Sequence, residues 1–150
     1  MIKENLLNIK QSIPADVTLI AVTKTKPNDA ILSAYNAGHK DFGENKVQEL
    51  VEKAGALPKD IQWHMIGHLQ RNKVKYIAPF IHLIHGVDSE RLLEEINKQG
   101  KKINRVIPVL LQFHIAKEES KFGFDFEEAT GLLSSESFAS YENIDIRGVM

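Results

Sequence analysis

Lys24 ends an apolar, β-prone run, Leu19-Ile20-Ala21-Val22-Thr23, and Thr25-Lys26-Pro27-Asn28-Asp29 follows it with a helix-opening signal. A lysine at the C-terminal end of a buried strand is well placed for Schiff-base chemistry with a carbonyl compound. Burial there disfavours the ammonium and leaves a nucleophilic amine near neutral pH. The same residues equally suit a lysine that closes a strand and points to water. Other reactive groups recur at the ends of strand-like runs. They are Gly43-Glu44-Asn45, then His64 and Gly67-His68 with Gln70, Asn72 and Lys73 behind them. His85-Gly86-Val87-Asp88 comes next, then Gln112, His114 and the charged loop carrying Lys117, Glu118, Glu119, Lys121 and Gly123.

Each has a plainer structural reading. Gly43 and Asn45 can shape a turn and cap a helix, and Glu44 can pair with Lys24 or Lys26 or favour a helix N-terminus. His64 and His68 stand four apart, as ligands on a helix would, but a strand end and Gly67 intervene, so no metal site is expected. His82 and His85 would face opposite sides of a strand and are read as structural. Trp63 is most simply core packing, and the loop around Lys121 either is solvated or places that lysine at a site mouth.

The elements that must position these groups alternate without a break. Helices are predicted over residues 2–12, 28–37, 47–54, 70–78, 89–99 and 126–134. Strands are predicted over 17–23, 40–42, 61–66, 80–85, 105–113 and 144–150. Alternation with short connectors specifies a parallel sheet with crossover helices, and ligands bind such sheets at the C-terminal strand ends. No Gly-rich dinucleotide fingerprint and no phosphate loop follows any strand. An open doubly wound sheet and a (β/α) barrel both remain compatible, although six strands are too few to close a barrel of eight.

Bulk composition narrows the classes. The chain has 150 residues, 43% of them hydrophobic and 26% charged, with a formal net charge of -1. No charge excess marks a nucleic-acid face, and no run of apolar residues is long enough for a membrane span. With zero cysteines there are no disulfides, thiolate metal sites or cysteine nucleophiles. The expected compartment is the cytoplasm.

Five strings occur in order: AVTKTKP at 21–27, DFGEN at 41–45 followed by Val47-Gln48-Glu49, WHMIGHLQRNK at 63–73, HGVDS at 85–89 and EESKFG at 118–123. Together they resemble the pyridoxal phosphate homeostasis proteins, over nearly the whole chain. The resemblance implies a single-domain barrel of TIM type (a fold-type III PLP-like barrel), similar to the N-terminal barrel of alanine racemase. It implies pyridoxal 5′-phosphate (PLP) as cofactor, held as an aldimine on Lys24 with Asn45 beside it. His64, Lys26 and Lys121 are further cofactor-binding candidates, the two lysines keeping the rim positive. The implied role is to carry or buffer PLP in vitamin B6 and amino-acid homeostasis, without robust catalysis and with apo PLP-dependent enzymes as recipients. A PLP-dependent racemase or decarboxylase is the alternative.

Lys46, Met65 and Phe113-His114 depart from common family choices. The serine loop and Gly-Ser…Arg segment that hold the PLP phosphate in the family have no counterpart here. The chain therefore reads as the N-terminal five β/α units plus strand six of a barrel. The full-length protein is expected to be a monomer. This piece is expected to bind PLP more weakly and to self-associate through unpaired strand edges.

Overall fold

The computed structural model describes residues 1–115 and 122–150. Six parallel strands run β1 (Ala21–Val22), β2 (Asp41–Glu44), β3 (Gln62–Met65), β4 (Leu83–Val87), β5 (Ile107–Leu111) and β6 (Ile144–Val149). They lie in one sheet in that same spatial order. A doubly wound sheet reverses its strand order at a switch point. Sequential order without reversal is that of a (β/α) barrel, here with β1 and β6 paired on one side only among the described residues, so the barrel is open.

Helices α1 (Ile2–Ser12), α2 (Asn28–Asn36), α3 (Val47–Ala56), α4 (Val74–Ile77), α5 (Glu90–Lys102), α6 (Phe126–Leu133) and α7 (Glu136–Ala139) fill the connections. Local chemistry explains their ends. Ser89 caps α5 by accepting from the Leu92 amide at 3.2 Å, and Asp125 caps α6 by accepting from the Glu128 amide at 2.7 Å. Helix α5 then buries Leu92, Leu93 and Ile96 against the sheet. None of the helices among the described residues is long and apolar enough to cross a membrane.

The two faces of the sheet differ. Phe42, Trp63, Met65, Ile84, Ile107, Val109 and Leu111 are fully or nearly fully buried on the helix-facing side. The other face lines the lumen of the open barrel. There Val22, the register partner of Gly43, is 51% exposed.

Several predicted element bounds shift. The first strand shrinks from 17–23 to Ala21–Val22, because it is an edge strand and only these residues pair with β2. The helix predicted over 70–78 becomes a 3₁₀ turn at Arg71–Lys73 followed by the short α4. The fourth strand starts at Leu83 and not at Phe80. The amides of Phe80 and Ile81 both bond back to the Ile77 carbonyl and close α4 instead.

Candidate functional site

The segment after β1 is bound at several points. The Thr23 amide donates to the Gly43 carbonyl at 3.0 Å and the Lys26 amide to the Thr23 carbonyl at 3.0 Å, closing a tight turn with Lys24 and Thr25 at its centre. Thr25 adopts a φ of 64°, a left-handed conformation that costs a β-branched residue energy. Its amide donates to Glu49 Oε1 at 2.5 Å, which holds the strained residue in place. Lys24 itself is exposed. Burial of its amine, anticipated from a strand-end position, does not occur, because β1 lies at the sheet edge.

Beneath this turn, on the helix-facing side of β2, Lys53 of α3 reaches three acceptors. Its Nζ donates to the Thr23 carbonyl at 2.7 Å, to Glu49 at 2.7 Å and to Glu44. The Lys53 side chain is 8% exposed and that of Glu44 0%. Burial alone would push the Lys53 ammonium down, but its hydrogen bonds to Glu44 and Glu49 outweigh this and hold it above the usual lysine range. Burial pushes the Glu44 carboxyl up, opposed by Lys53. The hydrogen bond from Lys53, then that from Thr25, pulls Glu49 down. The pairing of Glu44 with Lys24 or Lys26 considered from sequence is thus replaced by pairing with Lys53. Glu44 follows Gly43 in the strand alternation and so faces α3, away from the lumen. The one sequence signal for Lys53 is its spacing of four from Glu49 on a helix.

Along the rim, Lys24 and Asn45 each stand two residues beyond the register pair Val22 and Gly43, so they occupy adjacent strand ends. Gly67 passes close by: a Cβ there would stand 2.8 Å from the Asn45 Cα. Only glycine lets β3 leave the sheet so near Asn45. Gly43 is not a turn residue. It lies within β2 on the lumen face, where a Cβ would press on Ile20 and Ile66 at 3.0 Å each. Beside Asn45 a cleft of about 430 Å³ is lined by Gln48, His68, Gln70, Lys73 and Tyr76. A larger cleft of about 680 Å³ lies off this rim, against His68, Arg71, Asp88, Arg91 and Phe122, and Phe122 stacks on His68 at 4.3 Å.

His64 points elsewhere. Its ring is buried in the lumen, with Nε2 2.9 Å from Asp41 Oδ1 and Nδ1 2.9 Å from His85 Nε2. The His82 ring packs edge-on against it at 5.1 Å. His82 and His85 therefore meet the same partner, contrary to the opposite-face reading. His82 precedes β4, so strand alternation does not govern it. Burial, then the neighbouring His64, pushes His85 down to about 4 and lowers His82 as well. Of the five sequence candidates, the fold brings Lys24, Lys26 and Asn45 to one rim and turns His64 into the lumen. Lys121 lies outside the described residues.

The sequence profile of the alanine racemase N-terminal domain family matches residues 1–150. A pyridoxal phosphate homeostasis protein of Pasteurella multocida is 34% identical over 162 residues, covering 99% of this chain and 69% of its own length. The chain belongs to this family. The Aquifex aeolicus member is 40% identical over 133 residues, 88% of this chain and 58% of the relative. The chain thus spans somewhat under two thirds of that relative. PipY of Synechococcus elongatus, solved with PLP bound, superposes with a TM-score of 0.89 at 34% identity, covering 100% of this chain and 69% of that one. Alanine racemase of Bartonella henselae shares the fold, with a TM-score of 0.75 at 19% identity, over 99% of this chain and 41% of that one.

Proposed function

We propose that this chain contributes the lysine-bearing half of a PLP site and that the protein carries or buffers PLP in vitamin B6 and amino-acid homeostasis, without turnover of its own. The observation that carries the reading is the bound turn at 23–26. It presents Lys24 at a strand end beside Asn45, in a chain of a family whose members are named for PLP homeostasis. The PLP-bound neighbour PipY supports it.

The residues present fit the group. An exposed primary amine leaves the barrel next to a glycine-permitted close approach at Gly67 and Asn45. PLP supplies an aldehyde with which an amine condenses, losing water. Lys24 provides that amine, Asn45 flanks it, and Lys26 adds positive charge for a phosphate-bearing ligand. Lys121 is proposed for the same charge role. His64 is assigned to the lumen network and not to direct contact. We place the protein in the cytoplasm, with apo PLP-dependent enzymes as recipients.

The test is borohydride reduction with PLP, followed by peptide mapping. Label confined to the Lys24 peptide, and lost in Lys24→Ala, is expected. Labelling on another lysine, or undiminished labelling of the variant, overturns the assignment. Racemase assays on amino acids should show no turnover above that of Lys24→Ala; turnover would favour the enzyme reading.

A further inference from the structure

We propose that Asp41, His64 and His82 form a binding site for a divalent first-row transition metal of the zinc type, in the barrel lumen and separate from the Lys24 rim. One carboxylate oxygen and one ring nitrogen from each histidine all lie within 4.8 Å of one another. Two imidazoles and a carboxylate are a donor set that zinc and its neighbours accept and that magnesium and calcium, which prefer all-oxygen shells, do not. The three residues sit on β2, on β3 and at the entry to β4, tied together by the Asp41↔Gln62 register and by the His82 amide donating to the Trp63 carbonyl at 2.8 Å. Small adjustments of side chains on this frame bring three donors onto one ion. His64 is nearly buried while Asp41 is 21% exposed, so the remaining coordination position opens to solvent for water. Asp41 lies four residues down β2 from Asn45, about 13 Å along the strand.

The contacts of His64 already have the form of a liganding histidine. A metal-binding imidazole coordinates through one nitrogen and donates its other N–H to an oriented acceptor. His64 presents Nε2 to Asp41 Oδ1 and Nδ1 to His85 Nε2, each at 2.9 Å. Without metal, a proton on Nε2 bridges to Asp41 and Nδ1 accepts from His85. With metal, the ion takes the place of that bridging proton. His64 then carries its proton on Nδ1 and donates it to His85 Nε2, while the proton of His85 moves from Nε2 to Nδ1. Both rings stay neutral and no proton is lost overall, so binding needs only a tautomer change in each. His85 is a positioning residue in this arrangement. The sequence pair His64 and His68 is not the site: His68 lies beyond Gly67, stacked on Phe122.

The experiment is zinc titration of the metal-stripped chain against a chromogenic chelator. One equivalent of Zn²⁺ is expected to bind. Asp41→Asn and His82→Gln should each weaken it roughly tenfold or more, and His85→Gln should weaken it ~10–100-fold. His68→Ala should leave it unchanged. Far-UV circular dichroism checks that each variant folds, and two independent ligand variants keep the test open should one of them fail to fold. Nitrogen-15 shifts of the His64 ring supply a second readout, moving from an Nε2–H to an Nδ1–H tautomer when zinc is added. No binding in competition with the chelator, binding that survives both ligand substitutions, loss of binding in His68→Ala, or an unshifted His64 tautomer would each overturn the proposal.

Discussion

Strand β2 separates two polar clusters, and they are built on opposite principles. On the helix side, Lys53 gathers Glu44, Glu49 and the Thr23 carbonyl into a charged knot under the Lys24 turn. On the lumen side, Asp41, His64, His82 and His85 form a chain of imidazoles whose bonding depends on where the protons sit. The first cluster is committed. Its geometry requires charges that are costly to leave unpaired, and it fixes the backbone beside Lys24. The second is adaptable, because neutral imidazoles exchange donor and acceptor roles between their two nitrogens at small cost. In this chain the charged cluster lies behind the Lys24 turn and the adaptable one inside the lumen.

The contrast can be broken most directly at Lys53. Lys53→Met strands a fully buried Glu44, and removing one partner of a buried pair costs about 3–5 kcal/mol. Urea denaturation should show that loss, and Lys53→Met combined with Glu44→Gln should recover part of it. A drop no larger than that of a surface change would mean the knot is not committed.

The lumen cluster should instead respond to acid. The folded value of His85, about 4, lies below its ordinary 6.5. Above pH 6.5 the ring is neutral in folded and unfolded chains alike, and it contributes no pH dependence. As pH falls below 6.5, the unfolded chain takes up a proton that the folded chain refuses. Stability therefore declines until about pH 4, by ~3 kcal/mol at most. His85→Gln should flatten the pH dependence of the urea midpoint between those limits. An unchanged slope would place the acid sensitivity elsewhere.

A smaller effect sharpens the role of the knot at the rim. Glu49→Gln weakens the hold on Thr25, and a loss of about 1 kcal/mol is expected for one hydrogen bond. Slower trapping of PLP on Lys24 should accompany it if the turn presents the amine. Smallest of all, Lys40→Met removes a half-exposed partner of Asp60 whose side chain joins neither cluster, and the urea midpoint should not move measurably. The unpaired β1 and β6 edges make a separate prediction: sedimentation should show association rising with concentration, where a monomer at all concentrations would contradict it.

Much of the frame was legible in the residues. Apolar runs punctuated by Gly and Pro located the strands, and the Asp88-Ser89-Glu90 string announced the start of α5. Lys24 and Asn45 could be placed on strand ends because strand ends follow from local pattern. Lys53 was not legible as a partner of Glu44. That requires knowing that Glu44 faces outward and that α3 packs behind β2 at that level. The His82–His64–His85 contact was missed for a related reason. Period-two alternation across Phe80–His85 puts the two histidines on opposite faces, yet Phe80 and Ile81 belong to the close of α4, and the chain turns before β4 begins.

The sequence by itself determined the β/α alternation, the lysine at the end of the first strand and, through five ordered strings, the family. Backbone preference and side-chain period act over a few residues and leave their marks in order along the chain. Only the tertiary structure decided which distant side chains share a proton or a charge. It set Lys53 beneath the Lys24 turn, left Lys24 itself exposed at a sheet edge, and turned His64 from the rim into the lumen. Those outcomes depend on strand register, on which face a residue presents and on what packs behind it, and these are relations between segments that no local pattern encodes.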